Sequence, residues 1–446
     1  MTFIRSCSWP VLALLACVAA PAAARAQDTT SQRGVRIGLT YQAGTRPGIV
    51  VLPVRGMEGG DSLRAILERD LDFSDAVQVI GMAGTAARQA VEGAGTGPIN
   101  YALWKSLGAA GIVQTTPSAG GVTVAVHDVA QRKVLSTRSF ALPSGVLGGA
   151  WRMAVHGISD ELVRMITGAR GIAQSRILYV RGGRVYVIDS DGYGERALTS
   201  GSGALSPAWN PNGRSIAYSR MGGTGTEVLI QDLAAGTAQR LPGMRPGLNI
   251  TPVFSPNGST LVYAHGEESG TDLYAVDAFG AGGGSTTMRR LTVGRGSDNV
   301  SPSFSPDGRH LAMTSGRAGH PEVYTLDVDG SNVELLTPFN FGDQNYRSNP
   351  DWAPDGRLIA FQSQIAGQFQ VMTITLRDRT VKQHTSEGIN EDPSWAPDSR
   401  HLVFTSNRTG VRELWVLDTE SGRARQLTHA PGARMAAWSG VLGAVP

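Results

Sequence analysis

A short motif recurs along the second half of the chain and constrains the fold more than any other feature. A polar residue, a Pro, one variable residue and an aromatic are followed by a Pro-Asp-Gly type turn. It stands at Ser206-Pro207-Ala208-Trp209, Thr251-Pro252-Val253-Phe254, Ser301-Pro302-Ser303-Phe304, Asn349-Pro350-Asp351-Trp352 and Asp392-Pro393-Ser394-Trp395, with a stump at Ala436-Ala437-Trp438. The aromatics are spaced by 45, 50, 48, 43 and 43 residues, the length of one supersecondary unit. Helical solenoids share this period, but the interior of each unit excludes them. A Pro, a tight turn and runs such as Leu358-Ile359-Ala360-Phe361 belong to strands, and the apolar residues alternate with period two.

Each unit supplies two more strands, as at Asp272-Leu273-Tyr274-Ala275-Val276-Asp277 followed by Arg289-Arg290-Leu291-Thr292, which makes four per unit. The third and fourth strands occur six times, the first copy being Arg184-Val185-Tyr186-Val187-Ile188-Asp189 with Arg196-Ala197-Leu198-Thr199. The first-strand motif also occurs six times, offset so that its last copy lies at Trp438. Residues 172–440 therefore read as a six-bladed β-propeller in which the C-terminal strand completes the blade begun near Ile177, pairing two sheet edges that would otherwise stay open. The fold class expected is mainly β, a six-bladed β-propeller preceded by a small α/β domain. The composition agrees: 57 glycines and only 17% charged residues suit many tight turns between short strands.

The N-terminus carries one Arg, an apolar run and small residues at Ala24-Arg25-Ala26, the form of a cleaved secretory signal over residues 1–26. Leu14-Leu15-Ala16-Cys17 is a competing lipidation signal, opposed by the bulk of Leu15 and the shortness of the apolar core it would leave. Both cysteines, Cys7 and Cys17, lie within the signal, so cleavage at Ala26 leaves no disulfide chemistry. Removing Arg5 and Arg25 leaves 38 basic against 37 acidic residues, a balance that points away from nucleic acid. No later stretch reaches the ~18 apolar residues that span a bilayer. Export to the periplasm is expected, as a monomer that does not span the membrane.

Residues 27–46 are polar and uneven and read as a mobile segment, within which Gly34-Val35-Arg36-Ile37-Gly38-Leu39 can pair as a strand. Residues 47–168 lack the repeat and read as the α/β domain. Strands are expected at Gly48, Val77, Gly111, Val122 and Val134, and helices at Asp61, Tyr101 and Trp151 to Ile166. Val155, Ile158, Leu162, Val163 and Ile166 recur at helical spacing and are core.

Loops before each first strand converge on the mouth of the channel, while the Pro-Asp-Gly turns lie on the opposite rim. The pre-strand loops are rich in Asn, Asp, Gln and Arg. A partner-binding face is therefore expected from Asn249, Asp298, Asn299, Asn345, Tyr346, Arg347, Asn349, Asn390, Glu391, Asp392 and Arg434. Tyr346 beside Arg347 has the composition of an interface anchor, and a solvated rim is the plain alternative. Ser206, Thr251, Ser301, Asn349 and Asp392, each preceding a Pro, should ring the channel. The repeated Asp307, Asp355 and Asp398 are turn residues that interchange with Asn and bond their own backbone, and Asp189, Asp232, Asp277, Asp327 and Asp418 close third strands in the same way.

The order of a signal, an α/β domain and repeats of the form Ser-Pro-x-Trp/Phe-Ser-Pro-Asp-Gly resembles the TolB family, the periplasmic component of the Tol-Pal cell-envelope system, across essentially the whole chain. The resemblance implies a non-enzymatic protein whose propeller face binds the peptidoglycan-associated lipoprotein of the outer membrane. It implies further that the N-terminal segment at Val35, Arg36, Ile37 and Gly38 contacts the inner-membrane Tol proteins, and that the whole supports outer-membrane integrity and constriction at division. A propeller holding a small ligand or glycan in its channel is the second reading.

Enzyme signatures are missing from the sequence. It contains no Gly-x-Ser-x-Gly elbow, no His-Glu-x-x-His and no Walker loop, and the glycine-rich stretch after Gly280 lacks the Lys that phosphate binding requires. His310 and His401 hold equivalent repeat positions, as strand residues would, and no spacing calls for a metal or cofactor.

Overall fold

The structure, a computed structural model, describes residues 39, 45–81, 99–223, 225–268, 270–279, 288–294, 297–338 and 346–442. The signal segment, Val35 to Gly38, Asn345 and the glycine-rich stretch after Gly280 lie outside the described residues.

The first part of the chain builds one five-stranded sheet from β1 (Gly48–Val51), β2 (Gln78–Val79), β3 (Gly111–Ser118), β4 (Gly121–Asp128) and β5 (Lys133–Ala141), in the order β2-β1-β3-β4-β5. β1 runs parallel to β2 and β3, and the remaining pairs are antiparallel. Alternation along β1 sends Ile49 and Val51 to one face and Val50 and Leu52 to the other. The first face is covered by α1 (Gly60–Phe73), through Leu63, Ile66, Leu67 and Leu71, and by the helix Gly149–Thr167. The second face takes Trp104 from the short helix Tyr101–Ser106, whose first turn is capped by the Asn100 side chain accepting from the Leu103 N–H at 3.1 Å.

The rest of the chain forms six four-stranded antiparallel sheets. Blade 1 pairs Arg434–Trp438 with Arg176–Arg181, Arg184–Asp189 and Arg196–Ala197. Blades 2 to 6 begin with the inner strands Ala204–Trp209, Leu248–Phe254, Asn299–Phe304, Arg347–Trp352 and Asn390–Trp395. Each second strand places a large residue between neighbouring blades: Tyr179, Tyr218, Tyr263, Met313, Phe361 and Phe404 are all buried. In the closing blade Trp438 lies opposite Ile177 and Ala437 opposite Leu178. The Ser439 N–H donates to the Arg176 carbonyl at 2.8 Å, the Arg176 N–H donates back to Ser439 Oγ at 2.9 Å, and Trp438 Nε1 donates to Ser175 Oγ at 2.8 Å.

The α/β domain is seated on the turn face of blades 6 and 1, through charge. The end of α1 and the turn after it carry Asp70, Asp72 and Asp75. Arg423 donates to Asp72 and Asp75, each at 2.9 Å, and His401 reaches Asp75 at 3.3 Å while also bonding Asp398 at 2.6 Å. From the other side, Arg152 of the helix Gly149–Thr167 donates to Asp191 of blade 1 at 2.7 Å. His156, on the same helix, bonds Asp70 at 2.8 Å. Arg425 lies 3.7 Å over the Phe73 ring. Burial opposes a charge on His401, but the carboxylates of Asp398 and Asp75 outweigh it and hold the imidazole up at about 9.

Two outcomes are expected. Deleting residues 434–446 reopens two sheet edges, so the truncated chain should oligomerise or melt more than about 10 °C lower in a calorimetric scan. His401 is raised above its unfolded value, so its contribution is complete below about pH 6.5 and is lost as the pH climbs through about 9. Denaturant titrations should therefore show the wild-type protein losing up to about 3 kcal/mol between pH 6 and 10. His401→Gln should remove most of that slope.

Candidate functional site

The channel wall is made by the six inner strands, and each carries the same irregularity. Two residues oppose one, a β-bulge, at the x-Pro step of five strands, as between Ile250 and Val253 or between Glu391 and Ser394, and at Met435-Ala436 in the closing strand. The residue before the Pro takes a left-handed backbone: Ser206, Thr251, Ser301, Asn349 and Asp392 have φ of 46°, 51°, 52°, 52° and 53°, and Met435 in the closing strand has 55°. Such a conformation costs a non-glycine residue about 1–2 kcal/mol, and a chain of hydrogen bonds around the channel offsets it. The Ser301 N–H donates to Thr251 Oγ1 at 3.1 Å, and Ser301 Oγ donates to Asn349 Oδ1 at 2.8 Å. Asn349 Nδ2 donates to Asp392 Oδ1 at 2.7 Å, the Met435 N–H reaches Asp392 Oδ2 at 3.3 Å, and the Ser206 N–H reaches Met435 Sδ at 3.4 Å. The five residues named from sequence thus meet in one ring, with Met435 as a sixth member. They enclose a cavity of about 390 Å³ walled mainly by prolines and small residues. One turn further in, Asp351 accepts from the Trp395 N–H at 2.7 Å, and burial pushes its carboxyl up to about 6.

Four of the residues expected on the exposed face have another task. Asn249, Asn299 and Asn390 are fully buried, because they staple each blade to the one before it. Asn249 Nδ2 donates to the Thr226 carbonyl at 2.8 Å, Asn299 Nδ2 to Asp272 at 3.0 Å and Asn390 Nδ2 to Gln370 at 2.9 Å. Arg347 holds the equivalent place and pairs with the buried Glu322 at 3.1 Å, so it is a staple and not a free anchor beside Tyr346. Of the others, Asp298 and Tyr346 are exposed, Glu391 pairs with Arg412 at 3.0 Å, and Arg434 is half-buried on the closing strand. Asn349 and Asp392 belong to the ring.

What sequence reasoning missed is apolar. Met221, Leu248, Val293, Ile365 and Val411 are exposed, Val293 by 73% and Met221 by 62%, and join the expected Tyr346. Each stands on a pre-strand loop or on a hairpin joining second and third strands, so all six share the face opposite the α/β domain. Of these, Met221 and Tyr346 are residue types enriched at protein interfaces.

Two groups of buried side chains have spacing that suits a cation: Asp75, His401 and Asp418, and His156, Asp189 and Asp191, with ligand atoms within 4.8 Å in each group. Every carboxylate in them is already paired. Asp75 meets Arg423 at 2.9 Å, Asp418 meets Arg400 at 2.7 Å, Asp189 meets Arg176 at 2.9 Å and Asp191 meets Arg152 at 2.7 Å. They act as ion-pair lattices between the two parts of the chain. The repeated turn aspartates bond their own backbone as expected, Asp307 accepting from the Arg309 N–H at 3.0 Å and Asp355 from the Arg357 N–H at 2.9 Å. Among the described residues no helix is long and apolar enough to cross a membrane.

Comparison with known proteins adds three findings. Residues 163–442 match the family model described as the TolB beta propeller domain. The chain is 33% identical over 204 residues to the Tol-Pal system protein TolB of Chromobacterium violaceum, covering 43% of this chain and 46% of that protein. It is 31% identical over 246 residues to the protein of the same name from Polaromonas, covering 53% of each. The matched stretches thus span about half the length of these curated relatives. The crystal structure of TolB from Acinetobacter baumannii superposes with a TM-score of 0.73 at 24% identity, covering 89% of this chain and 97% of that one, a likeness of fold.

The staples and the rim should separate in mutagenesis. Asn390→Ala or Asn299→Ala leaves buried partners unpaired and should cost about 2 kcal/mol each in urea denaturation, whereas Tyr346→Ala should cost under about 1 kcal/mol.

Proposed function

Because the chain belongs to the TolB β-propeller family, we propose that it is a periplasmic component of the Tol-Pal system that works by binding protein partners and not by catalysis. The partner assigned to the pre-strand face is the peptidoglycan-associated lipoprotein of the outer membrane. Contact with the inner-membrane Tol proteins is assigned to Val35, Arg36, Ile37 and Gly38. Between them these contacts would support outer-membrane integrity and envelope constriction at division.

The observation that carries the reading is the asymmetry of the two propeller faces. The turn face is occupied through Arg400, His401, Arg423 and Arg425, which are engaged with the α/β domain. The pre-strand face is free of that domain and presents its apolar ring around a polar mouth. Single apolar residues on a firm scaffold suit an interface that forms and parts repeatedly, since each contributes contact area while little has to be ordered on binding. The predicted Asp298 and Tyr346 lie on this face. Asn349, Glu391, Asp392 and Arg434 shape its mouth, and the buried Asn249, Asn299, Arg347 and Asn390 set its geometry.

Pull-down of the lipid-free lipoprotein by the mature protein, followed by calorimetric titration, tests the reading. Replacing both Met221 and Leu248 by Asp should weaken binding at least about tenfold, a loss of 1.4 kcal/mol. Val381→Asp, on an outer strand, should leave it unchanged. The reading fails if the wild-type protein captures no lipoprotein, or if the double variant binds as tightly as wild type.

A further inference from the structure

Blade 5 differs from its neighbours in a way the repeat conceals. Its second and third strands, Leu358–Ile365 and Gln368–Thr375, contain no acidic, basic or histidine side chain, and four glutamines stand among them: Gln362, Gln364, Gln368 and Gln370. The corresponding strands of every other blade carry charge. In those strands stand Arg181, Arg220 with Glu227, Glu267, Glu322 and Glu413. The hairpin of blade 5 is therefore uncharged, and the Arg347 beside it is already paired with the buried Glu322 of blade 4.

The rim beside that hairpin is also hollow. A pocket of about 480 Å³ opens beside the channel between blades 4 and 5. Tyr346 and Phe369 frame it, edge to face at 5.4 Å and 80°, and Gln362, Gln364, Asn349 and Thr314 line its floor. Among the described residues the lining combines two aromatic rings with amides, the hydroxyls of Thr314 and Ser348 and the side chain of Val300, and holds no acid or base. Part of its hydrogen-bonding capacity is committed. Gln362 Oε1 accepts from the Asp392 N–H at 2.8 Å, and Gln364 Nε2 donates to the Gly367 carbonyl at 3.3 Å. Among the described residues Gln362 Nε2 and Gln364 Oε1 are left over, one donor and one acceptor, the pair that a peptide unit complements.

We infer that this pocket is a specificity subsite of the protein-binding face, and that it takes an uncharged, extended segment of the partner. The segment's main chain bonds to the glutamines, and one aliphatic or aromatic side chain lies between Tyr346 and Phe369. The inference rests on the reading of that face as the lipoprotein site. A charged side chain is excluded because its burial here finds no countercharge, and desolvating an unpaired charge costs far more than the contact returns. Neutrality is thus the selective feature, and it keeps out acidic or basic segments.

The test places a charge of each sign at one position, in the full mature protein, with the lipid-free lipoprotein as probe. Gln364 is half-exposed, so neither Gln364→Glu nor Gln364→Lys opens a cavity. Both should weaken binding by about tenfold or more, with unchanged melting temperature, and Tyr346→Ala should weaken it in the same direction. Opposite effects of the two substitutions would show that the pocket reads charge and would overturn the inference. It is likewise overturned if both leave the affinity at the wild-type value while the paired Met221 and Leu248 variant still loses binding, because the face would then be right and the pocket irrelevant. If the wild-type protein binds no lipoprotein, the inference falls together with the reading beneath it.

Discussion

The pairing of Arg434–Trp438 with Arg176–Arg181 is the contact on which the rest of the propeller depends. Five blades are covalently complete, and none is a stable object alone, since a single four-stranded sheet cannot bury the aromatic that its second strand presents to its neighbour. Only when the sixth blade is assembled from both ends of the chain does every blade have a neighbour on each side. The two ends of this contact are 263 residues apart, yet the entropy of drawing them together grows only with the logarithm of that distance. What the closure removes is larger in kind: two exposed edges, each a template for another chain. Trp438 completes it by filling the same core as Tyr179 and by donating its indole N–H to Ser175.

Closing a ring of six sheets crowds their inner strands, and the bulges answer that crowding. A residue before a Pro is disfavoured in helical backbone, so finding the left-handed conformation at five such positions, and again at Met435 before Ala436, means that the ring geometry, and not local preference, dictates it. The conformation turns the side chain of each such residue towards its neighbour in the next blade, where the hydrogen bonds running from Thr251 to Ser206 take it up. The polar groups of the ring are consequently spent on one another. Recognition at the mouth then falls to the residues above the ring, which is where the exposed apolar side chains and the neutral sector of blade 5 are found.

Blade number, strand count, closure and the polar ring were all legible in the sequence, because a repeat makes equivalent positions visible and the offset between first and third strands leaves one solution. The exposed face was read less well. Composition alone reads Asn249, Asn299 and Asn390 as loop residues, although each stands three residues before a Pro, opposite the residue that opens the preceding third strand. Asp272, Glu322, Gln370 and Glu413 recur at that opening, and Thr292, Thr337, Thr385 and Thr428 recur after the fourth strand. These series, taken together, signal a staple between blades. The apolar ring carried no such signal. Met221, Leu248, Val293 and Val411 occupy different positions in the repeat, and only the three-dimensional arrangement brings them to one face.

The two faces divide their physics along the same line. Among the described residues, the ion pairs that join the two domains lie on the turn face, where Asp72, Asp75 and Asp191 meet Arg423 and Arg152. Buried pairs add little net stability, but each fixes an orientation, because losing one partner strands the other charge. That suits a junction required to hold one geometry. Apolar contact has no such directional demand, and its strength follows area. An open face built from it can accept and release a partner while the fixed junction behind it keeps the channel mouth in register.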